Sequence, residues 1–229
     1  FSEYHINKFG FNSYREFTPT KDKVEIALIG DSFIEGMHQN YYNSIGKKIE
    51  DNIDGIEVYE YGYAGYDLAN QLYLIDAYKE HFKFIDHIVL YLKYENDLQN
   101  AAYIPNHDRI ALLKSPLFKL RDNFKLLSYA SDMGAIDPIK NAVIDFINKD
   151  SKNTKLSKTE QDELDVKYLE NFKTLVATFG FDTNKTSFLL DSKNTSPLFL
   201  DYCKNNGIAI IDFATPFEDS KKPPTLIYD

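Results

Sequence analysis

The stretch Ile26 to Gly36, IALIGDSFIEG, runs four apolar residues into a glycine and then an acidic–hydroxyl pair. With Val24 and Glu25 before it, the apolar half reads as a short strand suited to the interior of a parallel sheet, and Gly30 ends it. In an open parallel α/β sheet, sites form at the carboxyl ends of the strands. Ser32 would stand at such an end, yet taken alone it also fits an ordinary polar turn. What surrounds the stretch decides between the two.

Downstream, Tyr41, Ile45, Ile49 and Ile53 recur at near-helical intervals within Asn40 to Ile53, and Gly55 follows as a stop. Ile56 to Tyr59 reads as a second strand running into the turn Tyr61-Gly62-Tyr63-Ala64-Gly65. A helix is expected from about Asp67, with Leu68, Leu72, Ile75 and Tyr78 on one face. His87 to Leu92 is a third strand, closed by Glu95-Asn96-Asp97. This β-α-β-α-β alternation predicts right-handed crossovers and a mostly parallel sheet covered on both faces.

The rhythm pauses between about Asn100 and Phe179, which predicts a helical insertion within a single 1–229 domain. Ala111 to Tyr129 and Pro138 to Asn148 look helical, and Lys149 to Ser157 is a polar loop. Ser157 with Glu160 forms a capping box before a helix carrying Leu164, Tyr168, Phe172, Leu175 and Phe179. Thr186 to Leu190 is then a fourth strand. Ser196 is expected as an N-cap, Pro197 as the first helical position and Gly207 as the stop, before a fifth strand from Ile208 to Phe213. The expected fold is a three-layer α/β/α sandwich on a five-stranded sheet.

Composition narrows the function classes. The 229 residues fit one α/β domain, and 43% hydrophobic content is enough for a full core. A net charge of −9 with no local excess of Lys and Arg argues against a nucleic-acid or anionic-membrane surface. Cys203 is the only cysteine, so no intrachain disulfide can form. No apolar run approaches the roughly 20 residues that span a bilayer. The chain begins at Phe1 and not Met, so a preceding segment is expected, where a signal peptide or membrane anchor of a secreted or periplasmic protein would fit.

Three polar clusters fall at expected strand ends: Gly30-Asp31-Ser32, Gly62 to Gly65, and Glu95-Asn96-Asp97. Each alone fits a Gly/Asp/Asn loop. Together they follow three different strands and can meet in one crevice. In this order the blocks resemble the SGNH/GDSL hydrolase superfamily, named for Ser, Gly, Asn and His in four separated blocks. IGDSFIEG is similar to the first block and YGYAGYD to the second. LKYENDLQN is similar to the third, with Glu95 where Gly is most familiar. The lead-in NKFGFNSYREF is similar to a segment preceding the first strand in one bacterial branch that acts on carbohydrate esters. Ser32 to Gly65 to Asn96 gives block spacings of 33 and 31 residues.

The resemblance implies roles. Ser32 would be the nucleophile, a weak one until a base takes its proton. The backbone N–H groups of Ser32 and Gly65 and the Asn96 side-chain amide would form the oxyanion hole, each donor worth on the order of 3 kcal/mol of barrier. A glycine at 65 suits a backbone donor that must approach substrate without a Cβ. Asp31 and Asp97 fit loop support better than reaction.

The fourth block should bring an Asp and, two or three positions later, the histidine base. Here PPTLIYD ends at Asp229 with no histidine in place. His5, His38, His81, His87 and His107 each fit a packed or exposed structural role better, and His87 would lie at the wrong end of its strand. The expectation is that Asp229 is the acid and that its His follows it. Asp212, at the end of the fifth strand, is a second carboxylate in the region and reads as a core-edge residue.

The implied function is a serine esterase removing O-acetyl groups from a carbohydrate through an acyl-enzyme on Ser32. An O-acetyltransferase would use the same intermediate with a sugar hydroxyl as acceptor. A non-catalytic glycan-binding module on the same fold is the alternative from another class. A flavodoxin-like nucleotide binder is disfavoured, because the Gly30–Ser32 turn lacks the further glycines or Lys of a phosphate cradle. No cofactor is implied, and no His/Asp cluster has metal-ligand spacing.

Overall fold

The computed structural model describes residues 2–105, 107, 111, 114 and 158–219. Chain contacts divide the protein into two units, Phe1–Tyr103 with Thr159–Asp229, and Ile104–Lys158. In the second unit the His107 amide donates to the Pro105 carbonyl at 2.8 Å. The helices expected at 111–129 and 138–148, the 149–157 loop and the Ser157 cap lie outside the described residues, apart from Ala111 and Lys114. The sheet belongs to the first unit.

Five strands form it: β1 (Val24–Gly30), β2 (Ile56–Gly62), β3 (His87–Leu92), β4 (Thr186–Leu190) and β5 (Ala209–Asp212). All pairings are parallel, in the order β2-β1-β3-β4-β5. The order reverses around β1, so β1 lies between the two strands that follow it in the chain. Parallel neighbours need crossovers, and the helices that make them cover the sheet. They are α1 (Ser32–Glu35), α2 (Ile45–Asn52), α3 (Leu68–Ala77), α4 (Lys79–Phe82), α5 (Tyr94–Asp97), α6 (Lys158–Phe179), α7 (Pro197–Asn205) and α8 (Ala214–Glu218).

Alternate strand residues feed two cores. Ala27, Ile29, Tyr59, Leu90, Leu92, Phe188 and Leu190 pack with Leu68 and Leu72 of α3, Phe172 and Leu175 of α6 and Phe199 of α7. Burying each of these larger side chains stabilises the fold by about 2–3 kcal/mol. On the opposite face Leu28, Val58 and Tyr91 pack with Ile34 of α1, joined by the partly buried Ile49 and Phe213. The helix expected over 158–179 is present and belongs to the first core, where the Asn171 side chain also donates to the Leu98 and Gln99 carbonyls at 2.8 and 3.0 Å.

Three local expectations change. The segment over 40–53 is a 3₁₀ turn, Tyr41–Asn43, followed by α2, because Ser44 caps α2 with its hydroxyl on the Lys47 amide. Strand β2 continues to Gly62, so Tyr61 and Gly62 are sheet and not turn. Ser196 occupies the N-cap position of α7 with Pro197 at its start, but its hydroxyl is buried without a hydrogen-bond partner among the described residues. Among the described residues no helix is long and apolar enough to cross a membrane.

Candidate active site at the carboxyl ends of β1, β2 and β3

Gly30 and Gly62 end β1 and β2 and are register partners. Neither has room for a side chain. A Cβ on Gly30 would lie 2.5 Å from Ile34 Cγ1, and one on Gly62 would lie 2.1 Å from the Glu35 amide nitrogen. Helix α1 is therefore pressed against both strand ends. A single turn has no stability of its own, and this one is held from outside. The Asp31 carboxylate accepts the Phe33 amide at 2.8 Å, Gly36 closes the helix at φ 66°, and the Asn12 side chain donates to the Glu35 carbonyl at 2.8 Å.

Ser32 is the first residue of α1 and is exposed. An amide at that position has no acceptor within its helix. Among the described residues the Ser32 hydroxyl has no hydrogen-bond partner, so no structural role occupies it.

The second block shows which donor it leaves open. The Tyr63 amide donates to the Gly30 carbonyl at 3.0 Å, Ala64 to the Glu35 carboxylate at 2.7 Å, and Tyr66 to the Tyr63 carbonyl at 3.0 Å. The Gly65 amide, between them, has no acceptor among the described residues. Gly65 is exposed at φ +84°, a conformation that favours glycine, and open space surrounds the place of a Cβ.

Asn96 lies in α5, directly beyond β3, and is exposed. Its amide reaches the Asp97 carboxylate at 3.4 Å, a long bond that leaves the second amide hydrogen free. Asp97 itself is fully buried and accepts the Lys93 amide at 2.8 Å. Burial pushes its carboxyl up to about 7, and the charges of Asp31 and Asp67 push the same way. Burial also raises Asp31, opposed by the Phe33 amide and the Lys93 charge. Asp31, Asp67 and Asp97 come from the three separate blocks, and the charges of the first two both act on the third. Asp67 caps α3 through the Asn70 amide and accepts the Asn100 side chain at 2.7 Å.

Beside α1, on the second face of the sheet, lies a cavity of about 630 Å³. Phe33, Tyr91, Leu189 and Phe213 form much of its apolar lining, with Lys93 and Glu95 also on its wall. Phe33, next to Ser32, stacks on Tyr91 with centroids 5.5 Å apart, and Tyr91 stacks on Phe213 at 6.2 Å.

Three of the histidines, His5, His81 and His87, are accounted for away from Ser32. His5 binds the Ser13 carbonyl through Nδ1 at 2.6 Å, and His81 packs edge-on against Phe9 and Phe17. His87 opens β3, at the far end of the strand from the site, and binds Ser187 Oγ at 2.9 Å. His107 is exposed in the second unit. His38 is exposed in the turn after α1, whose single turn ends at Glu35. Asp229 lies outside the described residues. Asp212 accepts Ser192 Oγ at 2.7 Å and the Ser192 and Ala214 amides, each at 3.0 Å, and these bonds hold its carboxyl below the usual range. Among the described residues no group of three His, Cys, Asp or Glu side chains is placed to hold a metal ion.

Two site-building residues are not legible as such in the sequence. Glu35 and Asn12 tie α1 to the second block and to the lead-in. The one signal for Glu35 is its place three residues after Ser32, on the same helical face.

No protein-family model matches the chain, and no curated protein matches it. Two solved structures are similar to it. One is assigned to the G-D-S-L family of lipolytic proteins from Desulfitobacterium hafniense DCB-2, with a TM-score of 0.42 and 15% identity over 86% of this chain and 82% of that one. The other is a member of the same family from Veillonella parvula DSM 2008, with a TM-score of 0.39 and 13% identity over 83% of this chain and 78% of that one.

Proposed function

We propose that the protein is a serine ester hydrolase of the SGNH type, acting from Ser32. The observation that carries this reading is a set of unpaired groups. Among the described residues the Ser32 hydroxyl, the Gly65 amide and one hydrogen of the Asn96 amide have no protein partner, while the neighbouring amides of Tyr63, Ala64 and Tyr66 all do. Exposed donors of this kind, at a helix start and in a turn, are open to water or to an incoming oxygen, so their grouping around an exposed serine suits an incoming carbonyl oxygen.

In this reading Ser32 Oγ attacks the ester carbonyl as a base removes its proton. The carbonyl oxygen takes the negative charge, and Ser32 N–H, Gly65 N–H and Asn96 Nδ2 stabilise it. Collapse of the tetrahedral species expels the alcohol, which takes the proton back from the base. Water then resolves the acyl-enzyme by the same steps. Asp229 is proposed as the carboxylate that orients the base.

An O-acetylated carbohydrate is the proposed substrate. Tyr63 and Tyr66 flank Gly65 with ring centroids 5.1 Å apart, and Phe33 borders Ser32. Aromatic rings offer the flat apolar faces against which sugar rings stack. Hydrolysis of p-nitrophenyl acetate by the protein and by Ser32→Ala is the first test, and release of acetate from acetylated glycans the second. Equal rates for the two proteins on p-nitrophenyl acetate would remove the enzyme reading and favour a glycan-binding module.

A further inference from the structure

We propose that Glu35 is a positioning residue for the oxyanion site, holding the second-block loop so that the Gly65 amide faces the carbonyl bound at Ser32. This rests on the serine-hydrolase reading. Ser32 and Glu35 are the first and last residues of α1, three apart, and project from the same face of one turn. At one end the turn carries the nucleophile. At the other, the Glu35 carboxylate takes the Ala64 amide at 2.7 Å, one residue before Gly65.

Tyr63 is bonded to the end of β1, and Tyr66 bonds back to Tyr63 within the loop. Between them, the Glu35–Ala64 bond fixes the Tyr63–Ala64 peptide, the one directly before the peptide that carries the Gly65 amide. With the Ala64 amide taken, Gly65 is the amide of this loop left to face a substrate. Among the described residues no Lys or Arg pairs with Glu35, so the carboxylate is committed to the loop and not to a surface ion pair. A bond from an amide to an ionised carboxylate is about twice as strong as a neutral one. Glutamine keeps an acceptor oxygen in reach and alanine removes it.

The turn itself does not need this carboxylate to form. Asp31, Gly36, Asn12 and the contact with Gly62 hold its backbone. Loss of the Glu35 side chain therefore frees the loop while α1 keeps its place, and a donor displaced by about 1 Å lowers turnover by up to about a hundredfold.

The test compares p-nitrophenyl acetate kinetics of the protein, Glu35→Ala and Glu35→Gln, with Ser32→Ala alongside. The expected result is a kcat at least about tenfold lower in Glu35→Ala, a KM within about twofold, and recovery of most of the loss in Glu35→Gln. An unchanged kcat in Glu35→Ala overturns the proposal, as does a loss that tracks the folded fraction measured by circular dichroism. Should Ser32→Ala hydrolyse as fast as the parent, the hydrolase reading falls and the tether is judged by amide hydrogen exchange alone. Exchange at Ala64 at least about tenfold faster in Glu35→Ala then supports the tether, and unchanged exchange overturns it. Glu35→Gln keeps both measurements accessible if the alanine variant does not fold.

Discussion

Gly62 approaches Glu35 so closely that a β-carbon on it would lie 2.1 Å from the Glu35 amide nitrogen, with Ile34 C and Glu35 Cα also within 2.6 Å. Those atoms are backbone and cannot swing away. Gly62→Ala is expected to push α1 off the sheet edge, at about 3 kcal/mol or more of stability. Gly65→Ala meets no neighbour and is strained only by its φ of +84°, at about 1 kcal/mol. Urea denaturation of the two variants should show this order; equal midpoints would contradict the contact.

The exposed, unpaired Ser32 hydroxyl contributes nothing to the fold. Ser32→Ala is expected to unfold within about 0.5 kcal/mol of the parent while losing ester hydrolysis. Asn96→Ala should keep the fold too and lower kcat by about 10²- to 10³-fold, the usual effect of removing one oxyanion donor. A drop in kcat below about threefold would take Asn96 out of the oxyanion site.

Glu60 is buried at the α2 edge of the sheet, accepts the Gly46 amide at 2.7 Å with one oxygen, and has no partner for the other among the described residues. Burial pushes its carboxyl up to about 7. The folded state thus holds this proton more tightly than the unfolded chain. The resulting stability is complete below the ordinary glutamate range and is lost as pH rises through about 7. Glu60→Gln retains the acceptor for Gly46 without the charge. It should gain about 2 kcal/mol over the parent at pH 8, allowing for relaxation, and nothing at pH 4. Denaturation at the two pH values checks this; the same difference at both would rule out the titration.

Asp97 follows the same sign, because its carboxyl is also raised to about 7 by burial and by Asp31 and Asp67. Asp97→Asn is expected to flatten part of the stability loss between about pH 4 and 7, since an amide oxygen can still accept the Lys93 amide. A pH profile of stability parallel to that of the parent would place the titration elsewhere.

Cys203 is fully buried, and burial pushes its thiol up to about 12. Ellman's reagent should find no reactive thiol in the native protein and one after unfolding in guanidinium. Fast native labelling would mean that α7 opens readily.

The strand stretches, their parallel pairing and the three blocks at their ends are legible along the chain. Each depends on local pattern: a four-residue apolar run before Gly30-Asp31-Ser32, an Asp67 cap, a β-rich run before Asn96. Helix α2 starts later than its periodicity suggests because the Ser44 cap overrides the apolar spacing. Strand β2 runs on to Gly62 because it pairs with β1 residue by residue to the shared glycines.

The sequence by itself determined that Ser32, Gly65 and Asn96 would follow three strands of one sheet, since alternation and strand-end position are properties of neighbouring residues. Only the tertiary structure decided which groups remain unpaired there. It assigned the Ala64 amide to Glu35 across 29 residues of chain and left Gly65 open. It also buried Asp97 within reach of the Asp31 and Asp67 charges. A hydrogen bond or a charge interaction between distant segments depends on separation in space. No spacing along the chain encodes that until the crossovers bring β2 and β3 to either side of β1.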